Sequence, residues 1–298
     1  MSELRYAPYL SFLGLPPECR AQQGPRVGLL PIPYDLTTSY QPGARRGPIA
    51  LLEASTHLET YDEELGMDPS SALQLETLAP LVPDTAGPAG TMERIEQAAR
   101  QALEEGFFLV GLGGEHSVTA PLVKAHLGRY PRLGVLQLDA HADLRASFEG
   151  SPHNHACVMH RVLEMGVPIV QVGIRSLTAE EHGLIRSGKV TTIFAPEAVE
   201  APLEQFLPRL LQALPEEVYV TVDLDAFDPA IMPATGTPEP GGLSWYRALA
   251  ILRAVAERKR IVGFDVVELA PLPGLVACDF LAAKLVYKLL AYTFFLQR

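Results

Sequence analysis

The sequence predicts an α/β fold in which a mainly parallel central sheet is covered by helices on both faces. Two observations carry this. Short, near-continuous runs of apolar or β-branched residues recur along the chain, and segments of helical period lie between them. Strand, helix, strand in repeated order requires crossovers, and right-handed crossovers lay the strands side by side in one direction.

In chain order, residues 27–31 open the pattern as a buried strand, and the 3.6-residue period over 49–61 follows as a helix. A Pro-rich patch at 79–89 is short and flanked by periodic sequence, so it marks no domain boundary. Helix 92–105 leads into strand 107–112, and strands 133–138 and 169–174 come next. Helix 203–214, strand 218–222, helix 245–258 and strand 261–266 complete the alternation. Residues 229–242, rich in Pro and Gly, read as a long loop, a length that often carries function. The apolar run 280–295 is interrupted by Lys284 and Lys288 and reads as a buried helix with one wet face. The reading is one domain over 1–298, with residues 1–26 as a peripheral N-terminal segment.

Composition narrows the function. With 48% apolar and 20% charged residues the chain reads as an ordinary globular protein able to bury a core without disulfide staples. Its three cysteines, Cys19, Cys157 and Cys278, are odd in number and far apart, as expected in a reducing compartment. Residues 1–26 lack a basic-then-apolar signal pattern, and no apolar run is long enough to span a bilayer, so the expected location is the cytoplasm, with no membrane partner. A net charge of −11 argues against nucleic acid and is compatible with a cationic small molecule.

The chemistry-bearing residues fall just past strand ends, where parallel sheets bind ligands. Gly113-Gly114-Glu115-His116 follows one strand, Asp139-Ala140-His141-Ala142-Asp143 another, Asp223-Leu224-Asp225 a third, and Glu268 the last. A single aspartate at such a place serves equally well as a helix cap or an arginine partner. Four carboxylates converging beside apolar strands would repel and be costly to desolvate, and cations remove that cost. In the second motif ligand types occupy alternate positions, so one extended segment aims all three the same way. Six ligands, His116, Asp139, His141, Asp143, Asp223 and Asp225, exceed one tetrahedral zinc site and suit two metals about 3.5–4 Å apart. Oxygen-rich ligation with imidazole and no thiolate favours manganese over zinc.

Gly113-Gly114-Glu115-His116-Ser117, then Asp139 to Asp143, then Asp223-Leu224-Asp225-Ala226-Phe227-Asp228-Pro229 resemble, in order and spacing, the three signature motifs of the ureohydrolase (arginase/agmatinase) family. The resemblance runs from about Val27 to the C-terminus. It implies an arginase-like three-layer α/β/α sandwich, two Mn²⁺ ions per subunit, and a homo-oligomer, trimer or hexamer. By resemblance His116 and Asp143 hold one ion, His141 and Asp225 the other, and Asp139 and Asp223 bridge them. It also implies attack on a guanidinium carbon by a metal-bridging hydroxide, with Glu268 receiving the guanidinium. His153 and His155 are both candidates for proton transfer on residue type; the resemblance picks His155. Cys157 reads as a structural thiol, and His57, His126 and His182 as solvated.

Specificity must lie at the far end of the substrate. The loop from Leu144 to Pro152 departs from the arginase pattern and is closer to agmatinases, implying cleavage of agmatine to urea and putrescine. Within it Glu149 offers an ammonium partner, whereas Arg145 facing the pocket would favour a guanidino acid. Arginase, guanidinobutyrase and formiminoglutamase activities are the alternatives, followed by a non-enzymatic metal-binding relative.

Overall fold

A computed structural model describes residues 10–296. It contains one eight-stranded sheet, β1 (Arg26–Ile32), β2 (Gln74–Thr77), β3 (Phe108–Gly113), β4 (Gly134–Leu138), β5 (Ile169–Ile174), β6 (Thr191–Phe194), β7 (Glu217–Asp223) and β8 (Arg260–Val267), in the order β2-β1-β3-β8-β7-β4-β5-β6. Every pairing is parallel. The helices are α1 (Gly47–Ser55), α2 (Pro88–Glu104), α3 (Thr119–Leu127), α4 (Val158–Glu164), α5 (Ala179–Arg186), α6 (Ala195–Glu200), α7 (Leu203–Ala213), α8 (Trp245–Ala256) and α9 (Val276–Phe295). No described helix is long and apolar enough to cross a membrane.

Successive strand residues serve opposite faces. Val110, Leu112, Leu136 and Leu138 join one core with Leu51 of α1, Phe206 of α7, Leu252 of α8 and Leu289 of α9. Leu109 and Val135 join the other with Ile95 of α2, Leu122 of α3 and Val162 of α4. This is the expected three-layer sandwich. The six expected strands are present to within a residue or so at each end. The two that sequence reading missed, β2 and β6, are the sheet's edges. Each has four residues and only partial burial, so neither shows the continuous apolar run by which the inner strands declare themselves.

Three expectations need correction. The segment before β1 is not wholly peripheral, since Phe12 and Leu13 are buried and pack into the α1–α9 core; residues 1–9 lie outside the described residues. Lys288 does not face water. It is buried and binds Asp62 at 2.9 Å and Glu64 at 2.7 Å, so the wet face of α9 is confined to its first half, where Val276 and Phe280 are exposed and Lys284 is half-buried. His126, unlike the exposed His57 and His182, is fully buried. Its Nδ1 lies 2.7 Å from the Leu122 carbonyl, its ring meets Tyr219 edge-on, and it fills the space a side chain at Gly263 would need.

Burial holds the His126 imidazole down to about 4. Compared with an ordinary imidazole near 6.5, that difference corresponds to roughly 3 kcal/mol. A depressed folded-state value means the stability is fully present above pH 6.5 and is lost as pH falls towards 4. Denaturant melts of wild type and His126→Leu across pH 4–7 should therefore converge in acid. Parallel stability curves for the two proteins would contradict the neutral, buried assignment.

Candidate metal centre

The motif-bearing strands β3, β8, β7 and β4 are consecutive in the sheet, which brings their four carboxyl ends to one rim. Gly114 follows β3, and its lack of a side chain is required: a Cβ there would fall 1.8 Å from the Tyr34 carbonyl oxygen. The close approach lets the loop after β1 lie against the start of the Glu115-His116 segment.

His116 is oriented from behind. Its Nε2 lies 3.0 Å from the Thr221 hydroxyl, which itself donates to Asp265 at 2.6 Å. The hydroxyl oxygen is thus left to accept, so Nε2 carries the proton and Nδ1 the lone pair. That Nδ1 is buried without a hydrogen-bond partner. Around it lie Asp139 Oδ2 at 3.0 Å, Asp143 Oδ2 at 3.1 Å and Asp223 Oδ2 at 3.3 Å. One ring nitrogen cannot satisfy three carboxylates, whereas a cation among them can.

The second imidazole repeats the arrangement. His141 Nδ1 is 2.9 Å from Asp225 Oδ2. Asp225 Oδ1 accepts from Ala140 N–H at 3.0 Å, and Asp223 Oδ1 accepts from Asp225 N–H at 3.0 Å, so one oxygen of each carboxylate is tied down and the other is aimed. Asp139 is held by the His141 N–H and by Gln137 Nε2, both at 2.6 Å, and Gln171 of β5 donates to Gln137 in turn. Two groups able to hold a metal ion result, His116–Asp139–Asp223 and Asp139–His141–Asp225, sharing Asp139. Asp143 adjoins the first through its approach to His116.

The electrostatics are those of a site short of positive charge. Burial opposes a charged imidazole, yet the carboxylates hold His116 above its ordinary range and push His141 up to about 12. Burial and neighbouring carboxylates drive Asp143 up to about 7 and Asp223 well above the usual range.

Glu268 lies where β8 ends. Its N–H donates to the Gly114 carbonyl at 2.8 Å, and its Oε1 accepts from His116 N–H at 2.7 Å. Burial, then repulsion from Glu115, raises its carboxyl well above the ordinary value. Asp143 and Glu268 both adopt positive φ, 54° and 65°. That left-handed conformation costs a non-glycine residue about 1 kcal/mol or more, and such strain clusters at functional sites.

A cavity of about 300 Å³ opens onto the centre and is lined by His116, His141, Asp143, Asp223, Asp225 and Glu268, with His155, Phe148, Glu181 and Glu239 around it. His155 Nδ1 lies 2.7 Å from the Thr37 carbonyl, and burial pushes its imidazole down to about 4. His153 lines a different cavity with Lys124 and Glu164. Arg145 lines the main cavity, the placement that would favour a guanidino acid, but its guanidinium is stacked 4.2 Å over Phe148 and lies 4.0 Å from Glu181 Oε2, so its charge is already partnered. Glu149 is exposed and outside the cavity. Cys157 is buried and free, its thiol pushed up by burial to about 11.

Several supporting residues escaped sequence reading. Arg175, just past β5, donates to the backbone carbonyls of Asp225 and Glu239 at 2.7 Å each, tying the third motif to the 229–242 loop. Its position directly after a strand was the available signal. Thr221, Gln137 and Thr37 carried none, being ordinary polar residues until the fold gives them partners.

A sequence profile of the arginase family matches residues 25–291. The chain belongs to the arginase family. Within it the chain is similar to an N(1)-aminopropylagmatine ureohydrolase of Synechocystis sp., 44% identical over 272 residues that cover 89% of this chain and 88% of the relative. It is also similar to an agmatinase of Pyrococcus horikoshii, 38% identical over 251 residues, 81% of this chain and 83% of that one. Among solved structures, the proclavaminate amidino hydrolase of Streptomyces clavuligerus superposes with a TM-score of 0.86 at 30% identity, covering 98% of this chain and 99% of that one. The protein is thus an arginase-family ureohydrolase acting on guanidino C–N bonds, and the expected arginase-like sandwich is the fold observed.

Proposed function

We propose that this chain is a binuclear manganese ureohydrolase that releases urea from a long, cationic guanidine of the agmatine type, N(1)-aminopropylagmatine first and agmatine second. The observation that carries it is the convergence of three carboxylate oxygens on the bare Nδ1 of His116 beside a second, overlapping group around His141. His116, Asp139, Asp143 and Asp223 would hold one ion and His141, Asp139, Asp223 and Asp225 the other, an imidazole and oxygen set that suits manganese. When bound, the ions lower the pKa of water and stabilise negative charge developing on the substrate.

The remaining chemistry belongs to the chain. Glu268 has one oxygen engaged by His116 N–H, leaving Oε2 to accept from the guanidinium in a charge-assisted hydrogen bond that fixes the carbon for attack. His155 rests neutral, with Nδ1–H donated to a carbonyl, so its Nε2 is the atom free to take a proton and return it to the departing amine. Along the cavity Phe148 and Leu177 offer apolar wall for a methylene chain, and Glu239 stands nearby as a carboxylate for a distal ammonium. The relatives named for N(1)-aminopropylagmatine and agmatine support the same substrate class.

With manganese present, kcat/KM for urea release from N(1)-aminopropylagmatine and agmatine should exceed that for arginine by at least about a hundredfold. Preference for arginine or guanidinobutyrate would defeat the substrate assignment and leave the chemistry standing. Formamide from formiminoglutamate as the best reaction would replace it altogether.

A further inference from the structure

We propose that Thr37 is a positioning residue for the hydrolysis: clamped to Glu115, it fixes the place and the tautomer of His155. The inference rests on the assignment of His155 as the proton-handling group and adds how that group is held.

Thr37 lies in the loop after β1, whose tip has little packing of its own; Leu36 is 56% and Tyr40 70% exposed. Polar clamps set the loop's position instead. The Thr37 N–H donates to Glu115 Oε2 at 2.6 Å, and its hydroxyl donates to Glu115 Oε1. Glu115 is fully buried, receives a further hydrogen bond from Ser117, and immediately precedes His116, so the clamp is anchored in the metal-site segment itself. The loop's far side is held separately by Asp35, which accepts from Gly43 N–H at 2.9 Å and pairs with Arg45.

The other side of Thr37 grips the histidine. Its hydroxyl oxygen accepts from His155 N–H at 3.1 Å, and its carbonyl faces His155 Nδ1 at 2.7 Å. A carbonyl can only accept, so Nδ1 must carry the proton and the neutral ring presents its lone pair at Nε2. Nε2 is on the cavity side, 3.3 Å from the hydroxyl of Ser39, and both Ser39 and His155 line the cavity. The Thr37 hydroxyl is therefore used twice, as donor to Glu115 and as acceptor from the residue it positions. The resulting chain, Glu115 to Thr37 to His155, connects the first motif to the proton-handling group through a loop that sequence motifs pass over.

The test compares Thr37→Val, which keeps shape and removes the hydroxyl, with Thr37→Ser, which keeps the hydroxyl, each alone and with His155→Ala, in the manganese-loaded enzyme. Misplacing a reacting group by an ångström costs up to about a hundredfold, so Thr37→Val should lower kcat about ten- to a hundredfold with KM little changed. Thr37→Ser should stay close to wild type. In the His155→Ala background Thr37→Val should cost nothing further, because its effect passes through the missing ring. Side-chain nitrogen NMR of His155 should show the Nδ1–H tautomer in wild type and a mixture in Thr37→Val. Should that variant fail to fold, Thr37→Ala, which cannot overpack, takes its place in the same cycle.

Additive losses in the double variant, or an undiminished kcat in Thr37→Val, would overturn the proposal while His155→Ala remains slow. An undiminished kcat in His155→Ala would instead overturn the role of His155, and with it this inference.

Discussion

Asp223→Asn should reduce urea release by at least about a thousandfold, the consequence of withdrawing some 4 kcal/mol of metal-dependent stabilisation, yet leave the metal-free protein as stable as wild type or more so. Asp223 is buried, and its Oδ2 lies 3.3 Å from His116 Nδ1 amid the carboxylates of Asp139, Asp143 and Asp225. Without cations, mutual repulsion and desolvation make that cluster a liability, and neutralising one member relieves it. Asn can still accept from Asp225 N–H at the place of Oδ1, so the local turn survives. With manganese the sign reverses, since wild type gains binding free energy that the variant forgoes. Thermal midpoints with a chelator and with manganese, beside metal content per chain, read both halves. A variant less stable under both conditions, with two ions still bound, would make Asp223 a scaffold residue.

The way these groups come together explains what was legible beforehand. Ligand types at alternate positions in Asp139-Ala140-His141-Ala142-Asp143 made a legible pattern, although β4 itself ends at Leu138. Past it the chain keeps only the bridge of His141 to Ser176 and turns to a φ of 54° at Asp143, and Asp139, His141 and Asp143 still reach the same rim. Inner strands were equally visible, because burial on both faces demands a continuous apolar run. Adjacency was hidden: nothing local says that β8, last in the chain, inserts between β3 and β7, although this is what carries Glu268 to His116. The supporting shell was hidden for the same reason. Thr221 and Asp265 stand behind His116 from two other strands, and Thr37 reaches His155 across 118 residues. Their roles depend on which partner the topology supplies. His126 shows the converse error, in which a polar residue read as solvated is enclosed by Tyr219 and the backbone of Gly263.

Glu268→Gln should lower kcat/KM for a guanidino substrate by about thirty- to a thousandfold, the range expected when one partner of a buried charge pair is neutralised at 2–4 kcal/mol. Gln retains a carbonyl oxygen for His116 N–H, now met at 2.7 Å by Oε1, and occupies nearly the same volume. Removing the negative charge also lifts its repulsion with Glu115, so stability should hold or rise while activity falls. That combination separates a binding role from a structural one. Glu268→Ala supplies the contrast: it strands a buried N–H, an additional cost of about 1–3 kcal/mol, and should lose stability as well. If Glu268 receives the guanidinium as proposed, its two oxygens divide the work, Oε1 fixing the backbone of His116 and Oε2 left to meet the cation. The positive φ of 65° at Glu268 fits this double duty, since it turns the chain sharply where β8 ends. Denaturant melts and substrate-saturation curves on the two variants read the division directly. Equal destabilisation by Gln and Ala, with kcat/KM unchanged in the former, would remove Glu268 from the substrate's path.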